Sequence, residues 1–266
     1  MIRPPRKSDW QQFTTLATAE GWRVPQIEWK LFEDVWAQYV RVLVVDDEFC
    51  GLVTFVHHEK SSWIGNLIVP EPLRGRGYGG CLFAAALQEL NRCGSDSTWL
   101  TASKLGQPIY EKAGFVAVDR IERWVLPPAK RDSRELKDAQ HEGLLRADRD
   151  VWSEDRRSLL SSLLENGKVY HHGESVALLQ SGADIQIIGP WYGRDQADHR
   201  QLLRHVIAAA TPANELVIDL LASSSLQKIL IKNGFVYKGS NQLMLKGEVH
   251  VDISRMVSLA SLGSVG

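Results

Sequence analysis

The sequence predicts an α/β chain assembled from two copies of one unit. Three observations carry that expectation. Strand-like runs alternate with helical stretches over residues 8–126, a proline-led linker stands almost halfway along, and the chain matches itself at an offset of 120 residues.

The elements follow in order. From Ser8 to about Gln38 apolar positions recur at helical spacing, Phe13, Leu16 and Ala17 on one face and Trp29, Phe32 and Trp36 on another. Ser8 or Asp9 is the expected cap, and Gly21 divides the stretch into two helices. Strands are predicted at Tyr39–Val45 and Gly51–Val56, joined by the turn Asp46-Asp47-Glu48, and again at Trp63–Val69. Phe83, Ala86, Leu87 and Leu90 then mark an amphipathic helix. Thr98–Ala102 reads as a strand, Gln107–Ala113 as a short helix and Phe115–Leu126 as a last strand.

Pro127-Pro128-Ala129-Lys130-Arg131-Asp132-Ser133 has linker composition. Across it, without a gap, Pro70 falls on Pro190, Arg74 on Arg194, Leu82 on Leu202 and Leu100 on Leu220. Ala102-Ser103 meets Ala222-Ser223, Ile109 meets Ile229, Lys112 meets Lys232, and Gly114-Phe115-Val116 meets Gly234-Phe235-Val236. Each copy would be of ordinary domain size.

Composition narrows the function classes. The 266 residues carry 44% hydrophobic and 24% charged residues, which excludes a disordered or fibrous chain. Lys+Arg at 31 against Asp+Glu at 32 gives no basic excess for a phosphate backbone, so nucleic acid is not an expected partner. The start lacks the apolar core of a signal peptide, and no run approaches a membrane span. Cys50, Cys81 and Cys93 lack metal-ligand spacing, and a cytoplasmic protein with free thiols is expected.

The chemistry concentrates in Arg74-Gly75-Arg76-Gly77-Tyr78-Gly79-Gly80, between a strand and the amphipathic helix. Gly75, Gly77 and Gly79 let the backbone turn tightly with its N–H groups outward. Those donors and the positive helix end make an anion site with Arg74 and Arg76 at its rim. A diphosphate is the expected guest. A dinucleotide-binding unit does not fit, because the glycine spacing is not G-x-G-x-x-G.

Leu67-Ile68-Val69 followed by this loop resembles the acyl-CoA motif of the GNAT superfamily of N-acetyltransferases, and Tyr110-Glu111-Lys112-Ala113-Gly114-Phe115 resembles its second hallmark. The likeness spans residues 1–126, and the tandem layout, with Arg3-Pro4 and Gly21-Trp22, is similar to a bacterial two-domain subgroup. It implies two GNAT-like domains, each a mixed, mainly antiparallel sheet flanked by helices: an acetyl-CoA-binding domain over 1–128, a degenerate one over 134–248, and a tail over 249–266. It also implies that the backbone of Leu67, Ile68 and Val69 meets the pantetheine arm and that Arg74 through Gly80 cradle the pyrophosphate. Tyr110 would lie near the sulfur and protonate the departing thiolate.

In histone-type members a glutamate six residues before the Val69 position accepts the amine's proton; here that residue is Trp63. His57, His58 and Glu59, a water relay, or Glu33 and Asp34 remain open as the base. In the second copy Gly75, Gly77 and Gly79 become Asp195, Ala197 and His199, and Tyr110 becomes Leu230, so that half should not bind CoA. Gly189-Pro190-Trp191-Tyr192-Gly193 is either a packed aromatic turn or a wall of the acceptor groove, and Arg156, Arg157 and Arg200 read as solvated helix charges.

The expected activity is transfer of an acetyl group from the cosubstrate acetyl-CoA, without metal, to a primary amine of a small molecule or peptide. Attack is direct, because neither Cys81 nor Cys93 has an activating His within the motif. No membrane partner is expected, and the chain would act as monomer or homodimer. The rivals are a non-catalytic acyl-CoA sensor and an enzyme using another acyl group or an alcohol.

Overall fold

A computed structural model describes residues 1–129 and 139–266. The first half runs β1 (Ile2–Arg3), α1 (Lys7–Ala19), α2 (Gln26–Glu33), β2 (Val40–Val45), β3 (Glu48–His57), β4 (Ser61–Ile68), α3 (Tyr78–Cys93), β5 (Ser97–Ala102), α4 (Gln107–Lys112) and β6 (Val116–Leu126). The second runs α5 (His141–Trp152), α6 (Arg157–Leu164), β7 (Gly167–His172), β8 (Ser175–Ser181), β9 (Ile185–Tyr192), α7 (Gln196–Ala209), β10 (Glu215–Leu221), α8 (Gln227–Lys232), β11 (Val236–Gly247) and β12 (Met256–Ser258). Of the expected linker, residues 130–133 lie outside the described residues, as does residue 134, where the second domain was expected to begin.

The strands form one mostly antiparallel sheet in the order β1-β2-β3-β4-β5-β11-β6-β10-β12-β9-β8-β7. The last long strand of each half is exchanged. β11 enters between β5 and β6, pairing Leu243 with Thr101, while β6 pairs with β10, Val125 opposite Val217. The boundary expected near residue 128 therefore divides the chain but not the sheet. Residues 249–266 are no loose tail: β12 joins β9 and β10, and Leu259, Ala260 and Val265 are buried.

One apolar cluster joins the halves, with Trp10, Phe13, Phe32, Trp63 and Trp99 meeting Leu144, Trp152, Leu160 and Leu259. Trp99 and Trp152 pack edge to face at 5.7 Å. Glu154 seals this seam, accepting the N–H groups of Lys60 (2.7 Å) and Ser61 (2.9 Å) and the Ser61 hydroxyl.

Several local expectations change. Arg6, not Ser8 or Asp9, caps α1; Asp9 sits a turn inside, reaches back to the Arg6 N–H and pairs with Arg3. Arg156 is not solvated. It is fully buried, donates to Asp148 at 3.2 and 2.9 Å and lies 3.7 Å from the Trp152 ring centroid. Arg157 and Arg200 are exposed.

The aromatic turn expected at 189–193 is instead the end of β9, where Trp191 and Tyr192 pair with β8 and β12. Trp191 donates to Ser175 Oγ at 2.7 Å and Tyr192 to Asp148 at 2.6 Å, and both are buried. Trp191→Ala should therefore lower the melting temperature, consistent with a loss of about 3–5 kcal/mol for a large core aromatic, and leave an acceptor's KM unchanged. A raised KM at unaltered stability would contradict this placement.

The internal match holds at the end of each half: α4 and α8, and β6 and β11, start 120 residues apart, whereas α3 and α7, and β5 and β10, start 118 apart. Upstream it slips. Pro70 follows β4 whereas Pro190 lies inside β9, and the loop that spans residues 69–77 in the first half is only 193–195 in the second. Counted from the helix cap, Asp195 stands where Gly77 does.

Candidate active site

The site begins where two parallel strands part. β4 and β5 pair only from Ser61–Ser97 to Ile64–Leu100; beyond that point no ladder joins them. A register shift against β3, with Leu52 opposite Ile68 and Thr54 opposite Gly65, puts a bulge at Asn66 and Leu67. Asn66 takes φ of 49°, a left-handed conformation that Asn tolerates better than most, and donates to Thr54 Oγ1 at 3.1 Å. The bulge turns Leu67 toward the opening.

Below the opening the glycine-rich loop enters α3. Gly75 and Gly77 have φ of 76° and 83°, and a Cβ at either would meet nothing within 4 Å, so the requirement there is conformational and the loop surface is open. Gly79 differs. It lies in the first turn of α3, where a Cβ would be only in ordinary contact with Val69 and Ile109 at 3.8 Å. The N–H groups at the start of α3 have no carbonyl one turn back, leaving donors for an anion. Arg76 is exposed. Arg74 is held back: its Nε donates to the Val69 carbonyl at 3.1 Å and its guanidinium pairs with Glu20.

The corresponding helix start in the second half has consumed its own donors. Asp195 accepts from the N–H groups of Ala197 (2.7 Å) and Asp198 (3.0 Å), and these bonds hold its carboxyl below the usual range.

Tyr110 stands on α4, packed edge-on against Phe83 at 4.9 Å, and burial pushes its hydroxyl up to about 12. It lines a cavity of about 230 Å³ in the gap between β4 and β5. Leu67 lines it too, with Ile64, Gly65, Asn66, Thr101 and Ser103. Trp22, Arg23 and Val24 form another wall, and Arg123, Asn241 and Leu262–Ser264 close it. Ile68 and Val69 stand at the end of β4, between cavity and loop, and Ile109, the neighbour of Tyr110, approaches Gly79. The two motifs read in the sequence thus meet in space.

No pattern in the sequence pointed to the third wall. Leu262-Gly263-Ser264 crosses β4 at Gly65, so closely that a Cβ there would lie 2.7 Å from the Gly263 and Ser264 carbonyl oxygens. Trp63 Nε1 donates to Gly263 O at 3.1 Å and Arg123 Nη2 to Leu262 O at 2.9 Å. Glu28 accepts the Leu262 N–H at 2.7 Å and the Ser264 hydroxyl. Arg123 is itself clamped by Asp219 at 2.8 and 2.6 Å, and Arg23 pairs with Glu215. Only Trp63 stood on a motif-bearing strand; Glu28, Arg123, Asn241 and the 262–264 strap belong to no local pattern.

None of the acid–base candidates read from the sequence lines this cavity. His57 and His58 sit at the far end of β3, around a separate cavity with Trp36, Tyr39 and Ser158. Burial and the neighbouring Arg156 hold the His58 imidazole well below its ordinary range. Glu59 accepts the Asp155 N–H at 2.9 Å, and Glu33 and Asp34 lie near the end of α2. Among the described residues the cavity wall holds no carboxylate or imidazole. None of them groups as a metal site, and no helix among them is long and apolar enough to cross a membrane.

An open sheet split between two parallel strands, with a glycine-rich helix start at the split, is the architecture of an acetyltransferase fold. Residues 15–123 match the family model of the acetyltransferase (GNAT) domain. Residues 15–123, in the first half of the chain, are thus a GNAT acetyltransferase domain. A Pyrococcus horikoshii protein classed as an acetyltransferase shares the fold over 100% of this chain and 95% of its own, with TM-score 0.83 and 17% identity. A GCN5-related N-acetyltransferase from Sphaerobacter thermophilus aligns over 96% and 98% (TM-score 0.67, 16% identity). A Thermoplasma acidophilum protein classed as an acetyltransferase aligns over 93% and 100% (TM-score 0.58, 14% identity). No curated protein matches the chain in sequence.

Proposed function

We propose that the chain transfers the acetyl group of acetyl-CoA to a primary amine by direct attack, in the cavity between β4 and β5. The observation that carries this reading is the meeting of an open, donor-rich helix start with a buried, protonated Tyr110 across one gap in the sheet. Bound acetyl-CoA would supply the thioester. Backbone N–H groups from Gly75 to Gly80 would hold its diphosphate, with Arg76 at the rim, while Arg74 braces the loop through Glu20 and contributes backbone. Leu67, Ile68 and Val69 offer backbone groups along the split to the pantetheine arm. Tyr110 donates its hydroxyl proton to the departing sulfur. A non-catalytic sensor would need no such donor.

The second half acts by closing the acceptor site and not by binding a second CoA. Its α7 start is capped by its own Asp195, its loop is short, and Leu230 occupies the place of Tyr110. Asn241 and residues 262–264 reach the acceptor cavity from this half. The wall carries the guanidinium groups of Arg23 and Arg123 and, among the described residues, no carboxylate. Each guanidinium is already paired, Arg23 with Glu215 and Arg123 with Asp219. It is their remaining N–H donors that we propose meet the carboxylate of a small amine, an amino acid or short peptide, in preference to a polyamine.

The test is thiol release from acetyl-CoA with single amino acids, peptides and polyamines, followed by mass spectrometry of the product. Acetylated polyamine as the dominant product would refute the acceptor class, and no acetylated product with any amine would refute the activity. Calorimetry is expected to count one acetyl-CoA site per chain, and Gly77→Asp should abolish it, because a carboxylate would take the N–H groups as Asp195 does in the other half. Two sites per chain would contradict the assignment.

A further inference from the structure

A carboxylate stands one hydroxyl away from the acceptor cavity. Ser264 lines the cavity and donates its hydroxyl to Glu28 Oε2, while Glu28 Oε1 accepts the Leu262 N–H at 2.7 Å. Glu28 is buried on α2 and does not itself line the cavity; Ser264 is the lining residue whose side chain hydrogen-bonds it. The strap is pinned from several sides: Trp63 holds Gly263 O, Arg123 holds Leu262 O, and Ser261 Oγ accepts the N–H groups of Gly263 (3.2 Å) and Val265 (2.8 Å). With the backbone fixed by these bonds, Ser264 stands between the cavity it lines and the Glu28 carboxylate its hydroxyl donates to.

We infer that Glu28, acting through the Ser264 hydroxyl, receives the proton that the acceptor amine must lose. The inference rests on the acetyl-transfer function proposed above. In the step, an N–H bond of the acceptor ammonium breaks and its proton joins Ser264 Oγ, as the Ser264 proton passes to Glu28 Oε2. The freed nitrogen lone pair forms the new bond to the thioester carbonyl carbon, the C–S bond breaks, and the sulfur takes the Tyr110 proton. The amide nitrogen sheds its remaining excess proton to solvent. Glu28 then returns a proton to solvent and Tyr110 regains one.

The electrostatic setting agrees with this role. Burial raises the Glu28 carboxyl to about 7; the bonds from Ser264 and Leu262 and the charge of Arg123 on β6 oppose that rise, and Asp219 on β10 adds to it. A carboxylate near this value accepts a proton at neutral pH and can release it again, as an efficient base must.

The experiment compares wild type with Glu28→Gln and Ser264→Ala in thiol release from acetyl-CoA, using individual L-amino acids between about pH 5 and 9. Gln retains an acceptor for the Leu262 N–H, and Ala keeps the backbone of the strap. Wild type should lose turnover below about pH 7 as Glu28 becomes protonated. Both variants should lose about 10²-fold in kcat near pH 8 and the acid limb with it, with acetyl-CoA affinity unchanged. A stability readout needs no acceptor. Because the folded-state value lies above the ordinary 4.5, wild-type stability should fall as pH rises between about 4.5 and 7, a slope that Glu28→Gln removes. Variants that keep wild-type turnover and its acid limb would overturn the relay and leave the function standing. A wild type that acetylates nothing would overturn both.

Discussion

Tyr110→Phe should lower turnover by roughly 10²–10⁴-fold while leaving acetyl-CoA affinity close to wild type. The size follows from the surroundings. Tyr110 is buried against Phe83 and Phe115, and its hydroxyl, raised to about 12, stays protonated across the whole neutral range. It can therefore give a proton to a thiolate as the C–S bond breaks. Removing one oxygen leaves the ring packing and the glycine-rich loop intact, so the loss should fall on kcat. The measurement is kcat and KM for acetyl-CoA, with calorimetric affinity alongside. Unchanged turnover would mean that solvent protonates the sulfur and that Tyr110 only packs. Tyr110 should contribute no limb to the pH profile near neutrality, which separates its part from that inferred for Glu28.

Asp148→Ala should destabilise the fold by about 3–5 kcal/mol, because it strands the Arg156 charge in the core. Arg156 and Asp148 are each about 1% exposed in their side chains, and Tyr192 shares the same carboxylate. Burial beside Asp148 raises the Tyr192 hydroxyl well above its ordinary value, so it stays a donor and cannot replace the lost charge. Urea unfolding at unchanged slope measures the effect. Adding Arg156→Met should recover much of it, since the pair contributes less than the cost of breaking it. A midpoint corresponding to less than about 1 kcal/mol of loss for Asp148→Ala alone would show that water reaches Arg156.

The placements that failed share one cause. Arg156 read as a solvated helix charge, and nothing nearby in the sequence announced that Asp148, Trp152 and Tyr192 would close around it. Gly75, Gly77 and Gly79 looked equivalent in the sequence, yet φ separates the two that need glycine from the one inside α3. The Pro70–Pro190 match was a coincidence of spacing, since one proline follows a strand and the other lies within one.

The sequence by itself determined the local chemistry and the repeating plan. Turn residues, hydrophobic period and glycine spacing act over a few residues, so α3 with its glycine-rich start, α4 with Tyr110, and the matched pairs α4/α8 and β6/β11 are all legible in order along the chain. Only the tertiary structure decided who completes whom. Strand exchange joins β11 to β5 and β6 to β10, and the cavity wall draws on residues from Trp22 to Ser264. Contacts of that kind are selected by the burial of two sheet faces and by the pairing of free strand edges. Neither leaves a periodic mark in the chain, so Glu28 could meet Ser264 and Arg123 could meet Asp219 without any motif to announce them.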